Sequence, residues 1–153
     1  MAMDKTEKVK FRNINFGEMS VERESLIIFN NGLPGFERFK EFGLVAVEEE
    51  DPFLRLLSIQ EPSLGFVIVN PMLVWNDYDP DIGQDDLEGL EIKRVEDLEV
   101  YCIVTLSRVP DEVSVNLKGP ICINAKNKKA KQMILVDDRY QTKHNILEAS
   151  QAT

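Results

Sequence analysis

Apolar and polar residues alternate from Val9 to Ile14, and residues 16–21 read as a turn into a second short strand. A charged bend over 21–25 delivers the chain to a run of four large apolar residues, Leu26, Ile27, Ile28 and Phe29, which predicts a buried strand. Residues 30–37 then form a loop with a fixed shape. Gly32 and Gly35 can take positive φ without steric cost, while Pro34 fixes its own φ and holds Leu33 extended. This loop holds Phe36 where it either plugs the core or faces a partner. The pattern next predicts a helical turn over 38–42, ended by Gly43, and a short strand over 44–47. An acidic turn at 48–52 separates that strand from two more, over 53–59 and 64–69, the second ended by Asn70 and Pro71.

The best helical material lies between Pro80 and Asp97, over 85–90, with a second turn at 95–98. Residues 99–106 are the longest β-rich run. A turn at 109–111 leads to an alternating strand over 113–117, and Gly119 and Pro120 precede a strand over 121–124. A basic turn at 126–129 and a last strand over 132–136 come next. Connections this short favour antiparallel pairing, because parallel crossovers need a dozen or more residues. The expected fold is all-β, a mainly antiparallel small β-barrel, with one or two short helical segments covering one barrel end. At 153 residues the chain fits a single domain over 1–153, with an ordered core from about 8 to 147, a mobile lead to about residue 7 and a tail that frays after Leu147.

Composition is that of a globular chain, at 43% hydrophobic and 29% charged residues. No apolar run approaches the roughly 20 residues of a membrane span, and the polar start over 1–5 is no signal peptide, so a cytoplasmic location is expected. The net charge of −9 disfavours phosphate backbones and favours basic proteins. Cys102 and Cys122 sit in apolar, β-branched runs and read as small buried hydrophobes, which supports neither a disulfide framework nor a zinc site.

Candidate chemistry is sparse. Asp77, Asp79, Asp81 and Glu88 match the carboxylate spacing of an EF-hand calcium loop, but Ile82 stands where that loop turns on Gly and Pro80 stiffens it, leaving a solvated acidic loop. His144 is the only histidine and lies in a polar tail without the company a triad or metal site needs. Ser25, Ser58, Ser63 and Ser107 occupy no nucleophile elbow, and no glycine-rich phosphate loop occurs. These absences argue against an enzyme, a metal and a cofactor alike. The cluster Lys126, Lys128, Lys129, Lys131 is either a solvated turn or a contact for an acidic surface. Trp75 and Tyr78, between Asn70 and the carboxylates, either anchor an interface with a polar rim or cover a barrel end.

Four stretches in register carry a resemblance to the flagellar assembly factor FliW family. The most specific is Phe29, Asn30, Asn31, Gly32, Leu33, Pro34, Gly35, Phe36, Glu37. The others are residues 65–71 running on to Asp77 and Tyr78, residues 116–124, and residues 132–135 with Tyr140 and His144 beyond them. Asn30 stands where the family usually has Pro, Leu57 where it commonly has Gln, and Ala130 where it usually has Gly. The resemblance implies a small β-barrel that binds flagellin and the translational repressor CsrA, antagonising CsrA allosterically to couple flagellin synthesis to export. The expected contact residues are Phe36, Glu37, Asn70, Trp75, Asp77, Tyr78, Asp79 and Asp81, in a monomer without cofactor, direct nucleic-acid binding or membrane attachment. Two rivals remain at this level: a small-molecule or flavin-binding β-barrel enzyme, which lacks a phosphate cradle here, and an oligonucleotide-binding barrel, for which the charge has the wrong sign.

Overall fold

The computed structural model describes residues 7–109 and 112–146. The expected lead up to residue 6, the centre of the turn at Pro110 and Asp111, and the expected fraying from Leu147 onward lie outside these residues. Among the described residues the fold is all-β and antiparallel, with the short helix α1 (Gln84–Gly89) at one end. Strands β1 (Lys8–Asn13) and β2 (Gly17–Glu22) form a separate hairpin in which Phe11 faces Met19 and Val9 faces Val21. The second sheet has nine strands. Seven of them are β3 (Ile27–Ile28), β4 (Glu41–Ala46), β5 (Leu54–Ser58), β6 (Gly65–Val69), β7 (Leu98–Thr105), β9 (Ile121–Asn124) and β10 (Ala130–Gln132). They lie side by side in the order β10–β9–β7–β6–β5–β4–β3. The other two branch from this path, β8 (Ser114–Val115) pairing with β7 and with β11 (His144–Asn145).

The two ends of the path meet at a single parallel bridge between Ile28 and Lys129, where Ile28 N–H donates to the Lys128 carbonyl at 2.9 Å. A small β-barrel was the expectation, but the sheet does not close by continuous pairing. Beyond Ile28 the chain turns away, with Phe29 N–H donating to Lys40 and Gly32 N–H to Phe29. The core divides into three clusters. Phe29, Leu33, Phe42, Leu56 and Ile68 centre the first. Val69, Tyr78, Cys102, Leu117 and Tyr140 belong to the second. Leu90, Ile92, Cys122 and Met133 form the third, beneath helix α1 (Gln84–Gly89) and the residues after it.

Three expected elements are corrected. The helical turn over 38–42 does not form, because Glu41, Phe42 and Gly43 are already strand β4. Gly43 does not end a helix; it lies mid-strand opposite Leu57, where a Cβ would meet Val21 at 3.3 Å and Phe11 at 3.6 Å. Its missing side chain admits the β1–β2 hairpin onto the sheet. The strand expected over 113–117 is reduced to β8, because Asn116 N–H goes to Ile103 while Leu117 and Lys118 N–H both go to Gln141. The strand expected over 132–136 ends at Gln132. Met133 and Leu135 still donate to the Pro120 and Lys118 carbonyls, each at 2.8 Å. Pro120, however, has no N–H to return, so the ladder continues from one side only.

Candidate functional site

Asn70 ends β6 by capping the turn after it. Its side-chain oxygen accepts from Met72 N–H at 3.0 Å, and buried Pro71 opens the 3₁₀ turn Pro71–Leu73. Trp75 N–H then bonds the Pro71 carbonyl and Tyr78 N–H the Trp75 carbonyl. Tyr78 is 3% exposed. Its hydroxyl donates to the Leu117 carbonyl at 2.7 Å and lies 4.0 Å from the Cys102 thiol, which donates to it. Tyr140 packs edge-on at 4.7 Å, and its own hydroxyl accepts from Asp79 N–H at 2.9 Å. Burial, with smaller contributions from Cys102 and Tyr140, pushes the Tyr78 hydroxyl far above the usual phenol range, so it stays a neutral donor.

This geometry corrects the expectation of Tyr78 as a contact residue. Its ring and hydroxyl are occupied inside the core, and its work is to pin the loop. Trp75 is half-buried against the same cluster and edge-on to His144 at 5.8 Å. The pin presents outward Asn70, Asp77, Asp79 and Asp81, all exposed, together with Met72 and Leu73 at 47% and 63% exposure. The two apolar residues were missed by sequence reasoning. Their signal is an apolar pair lying just after a Pro cap, outside the strand alternation.

The loop over 30–37 uses Leu33 as its plug, at 1% exposure. Gly32 has φ 71° and Gly35 φ 87°. A Cβ on Gly32 would collide with the Glu37 backbone, so the site demands glycine twice over. Phe36 N–H donates to Leu33 at 2.7 Å, and Glu37 folds back so that its carboxylate accepts Gly35 N–H at 3.0 Å. That bond, with a smaller contribution from its own backbone N–H, holds the Glu37 carboxyl below its usual range. Phe36 is left 39% exposed with its ring edge-on to Phe66 at 5.5 Å. Phe36 and Trp75 pack on different core clusters, so the structure does not gather the two candidate segments around one cluster.

The lysine turn is solvated, and its charges are also paired within the chain. Lys131 pairs with Asp86 of α1 at 2.7 Å, Lys129 with Glu91, and Lys126 with Asp97 at 3.6 Å. Asn124 adds donors to the Leu90 and Glu91 carbonyls. The turn therefore straps the segment 84–97 over the third cluster. No group of three or more potential metal ligands occurs among the described residues. Beside the seam, a cavity of about 110 Å³ lies among Asn31, Gly32, Asp86 and Lys131, below the roughly 300–1,000 Å³ of ligand pockets.

A family model described as FliW protein matches residues 10–146. The chain belongs to the FliW family. A flagellar assembly factor FliW of Bacillus pumilus (strain SAFR-032) is 41% identical over 134 residues, covering 88% of this chain and 93% of its own. One from Thermotoga sp. (strain RQ2) is 40% identical over 133 residues, covering 86% and 89%. A crystal structure of the flagellar assembly factor FliW superposes with a TM-score of 0.84 at 34% identity, covering 90% of this chain and 96% of that one. These FliW relatives are named for a flagellar assembly role, and family membership supports that role rather than catalysis. No helix among the described residues is long and apolar enough to cross a membrane.

Proposed function

We propose that this FliW chain acts in the cytoplasm by binding flagellin and the repressor CsrA, and that it antagonises CsrA allosterically so that flagellin synthesis keeps step with export. Family membership over residues 10–146 is the observation that carries this reading. The net charge of −9 supports it, since an acidic partner docked beside a basic RNA site raises the free energy of bringing phosphate in. By linkage, a factor that prefers RNA-free repressor weakens RNA binding by the same factor by which RNA weakens its own. The candidate contacts are Phe36 and Glu37 on one loop and Asn70, Trp75, Asp77, Asp79 and Asp81, flanked by Met72 and Leu73, on the other.

Calorimetric titration tests the scheme directly, with CsrA from the same organism, then flagellin, then CsrA after flagellin saturation. Binding to each alone, with flagellin blocking CsrA, is the expected result. Folded partners that give no heat in either arm would sink it. Glu substitution of Leu73, which is exposed, is expected to lower affinity for one partner without lowering the melting temperature.

A further inference from the structure

We infer that the stretch 132–136 is a docking edge for an extended segment of another protein, one rich in β-branched residues and ended by lysine or arginine. Lys131 pairs with Cys122 in the ladder, and Met133 and Leu135 N–H donate to the Pro120 and Lys118 carbonyls. Odd-numbered residues therefore turn their backbone groups toward 118–122, and those of Gln132, Ile134 and Val136 point the other way. Ile134 is 68% and Val136 94% exposed. On this side of β10, β3 reaches only the bridge at Lys129.

The β1–β2 hairpin shows how the same chain treats an edge that stays unpaired. Arg23 N–H donates to the Glu7 carbonyl, and in that register Lys8 faces Glu22 and Arg12 faces Glu18. The outward backbone groups there belong to Lys8, Lys10 and Arg12 on β1 and to Glu18, Ser20 and Glu22 on β2, all exposed. Charged side chains at outward positions deter a further strand. The edge at 132–136 has no such guard, since its outward residues are one amide and two β-branched apolar side chains, which suit strand addition.

Charge selects the occupant. A net charge of −9 opposes a second copy of this chain and attracts a cationic partner. Lys131 is held by Asp86 and Asp137 by Arg139. Asp138, just beyond the edge, is exposed, and no ion pair reaches it among the described residues. A cation at the end of the added segment meets Asp138, while β-branched residues lie beside Ile134 and Val136. None of the loop residues proposed above as contacts lies on this edge, so its loss and theirs are separable.

Synthetic peptides of alternating valine and threonine, ended by lysines or by glutamates, test the edge by calorimetry and amide hydrogen exchange. The lysine-ended peptides are expected to bind and to slow exchange at Ile134 and Val136 but not at Lys8 or Lys10. The glutamate-ended peptides should bind at least about tenfold more weakly. Ile134→Lys, which gives this edge the guard that β1 has, is expected to weaken binding about tenfold with the melting temperature unchanged. Ile134→Pro removes an outward N–H and is expected to weaken binding as well. Asp138→Asn should cost about threefold at low salt, and less as salt rises. No binding by any lysine-ended peptide, equal binding by both sets, protection at the hairpin instead, or an Ile134→Lys chain that binds as before overturns the inference. So does a wild-type dimer that Ile134→Lys dissociates, which would assign the edge to a second copy.

Discussion

Two segments meet at the seam of the sheet, and only one of them adds charge to its hold. On one side, the loop over 30–37 is fixed by backbone conformation and burial, through Gly32, Gly35 and the plug Leu33. On the other, the turn over 124–131 adds charge to its hydrogen bonds: Asn124 holds the Leu90 and Glu91 carbonyls and Ala125 N–H that of Asp97, while Lys126, Lys129 and Lys131 pair with Asp97, Glu91 and Asp86. Conformation and burial act at any ionic strength. Exposed ion pairs are each worth roughly 0–1 kcal/mol and weaken as salt rises. Rising salt therefore loosens part of the second segment's hold and leaves that of the first unchanged.

Gly32→Ala attacks the first segment. It forces a left-handed φ on a side chain that also strikes the Glu37 backbone, with an expected loss of about 2–4 kcal/mol in denaturant unfolding. Tyr78→Phe removes the donor to Leu117 and leaves that buried carbonyl unpaired, which is expected to cost about 1–3 kcal/mol. If Tyr78→Phe instead lowers partner affinity at unchanged stability, its assignment as a pin fails.

Alkaline pH sharpens the comparison through the two thiols. Burial pushes both Cys102 and Cys122 up to about 12 from an ordinary 9.0. A raised value on a group that becomes charged by deprotonation means the unfolded chain releases the proton first. Stability is accordingly full below pH 9 and falls between about 9 and 12, as seen in melting temperature. Cys122 lies in the cluster under the strap, whereas Cys102 lies beside Tyr78. Alkylation of Cys122 should therefore gain on that of Cys102 as salt rises. A ratio of rates that salt leaves unchanged would show that the strap opens only with the whole fold. The smallest effect is Lys129→Gln, expected within about 1 kcal/mol and largest at low salt.

The features legible in the sequence were local ones. The shape of the loop over 30–37 comes from its own glycines and proline, and β9 is readable from its apolar run Ile121, Cys122, Ile123. The features that misled depend on distant partners. Gly43 resembles a helix stop until Phe11 and Val21 pack over it. The last strand ends early because a proline sits on its neighbour rather than within it. Tyr78 resembles a surface anchor because its partner carbonyl is 39 residues away in the chain. Likewise the lysine turn gives no local sign of its counter-charges, which α1 and the residues after it supply. The exposed candidates Asp77, Asp79 and Asp81 were easier, since a carboxylate-rich, proline-stiffened loop has little reason to be buried.

The edge-on contact between Trp75 and His144 gives the molecule a built-in optical probe. The chain has one tryptophan and one histidine. The indole belongs to the periphery of the second cluster and the imidazole to β11, so they stay adjacent only while β11 remains docked on β8. The indole therefore sits in a different environment with the strand docked than with it released, and His144 Nε2 accepts Gln141 N–H at 2.9 Å to hold the docked form. Intrinsic fluorescence thus reports, without any label, when this last strand leaves the sheet.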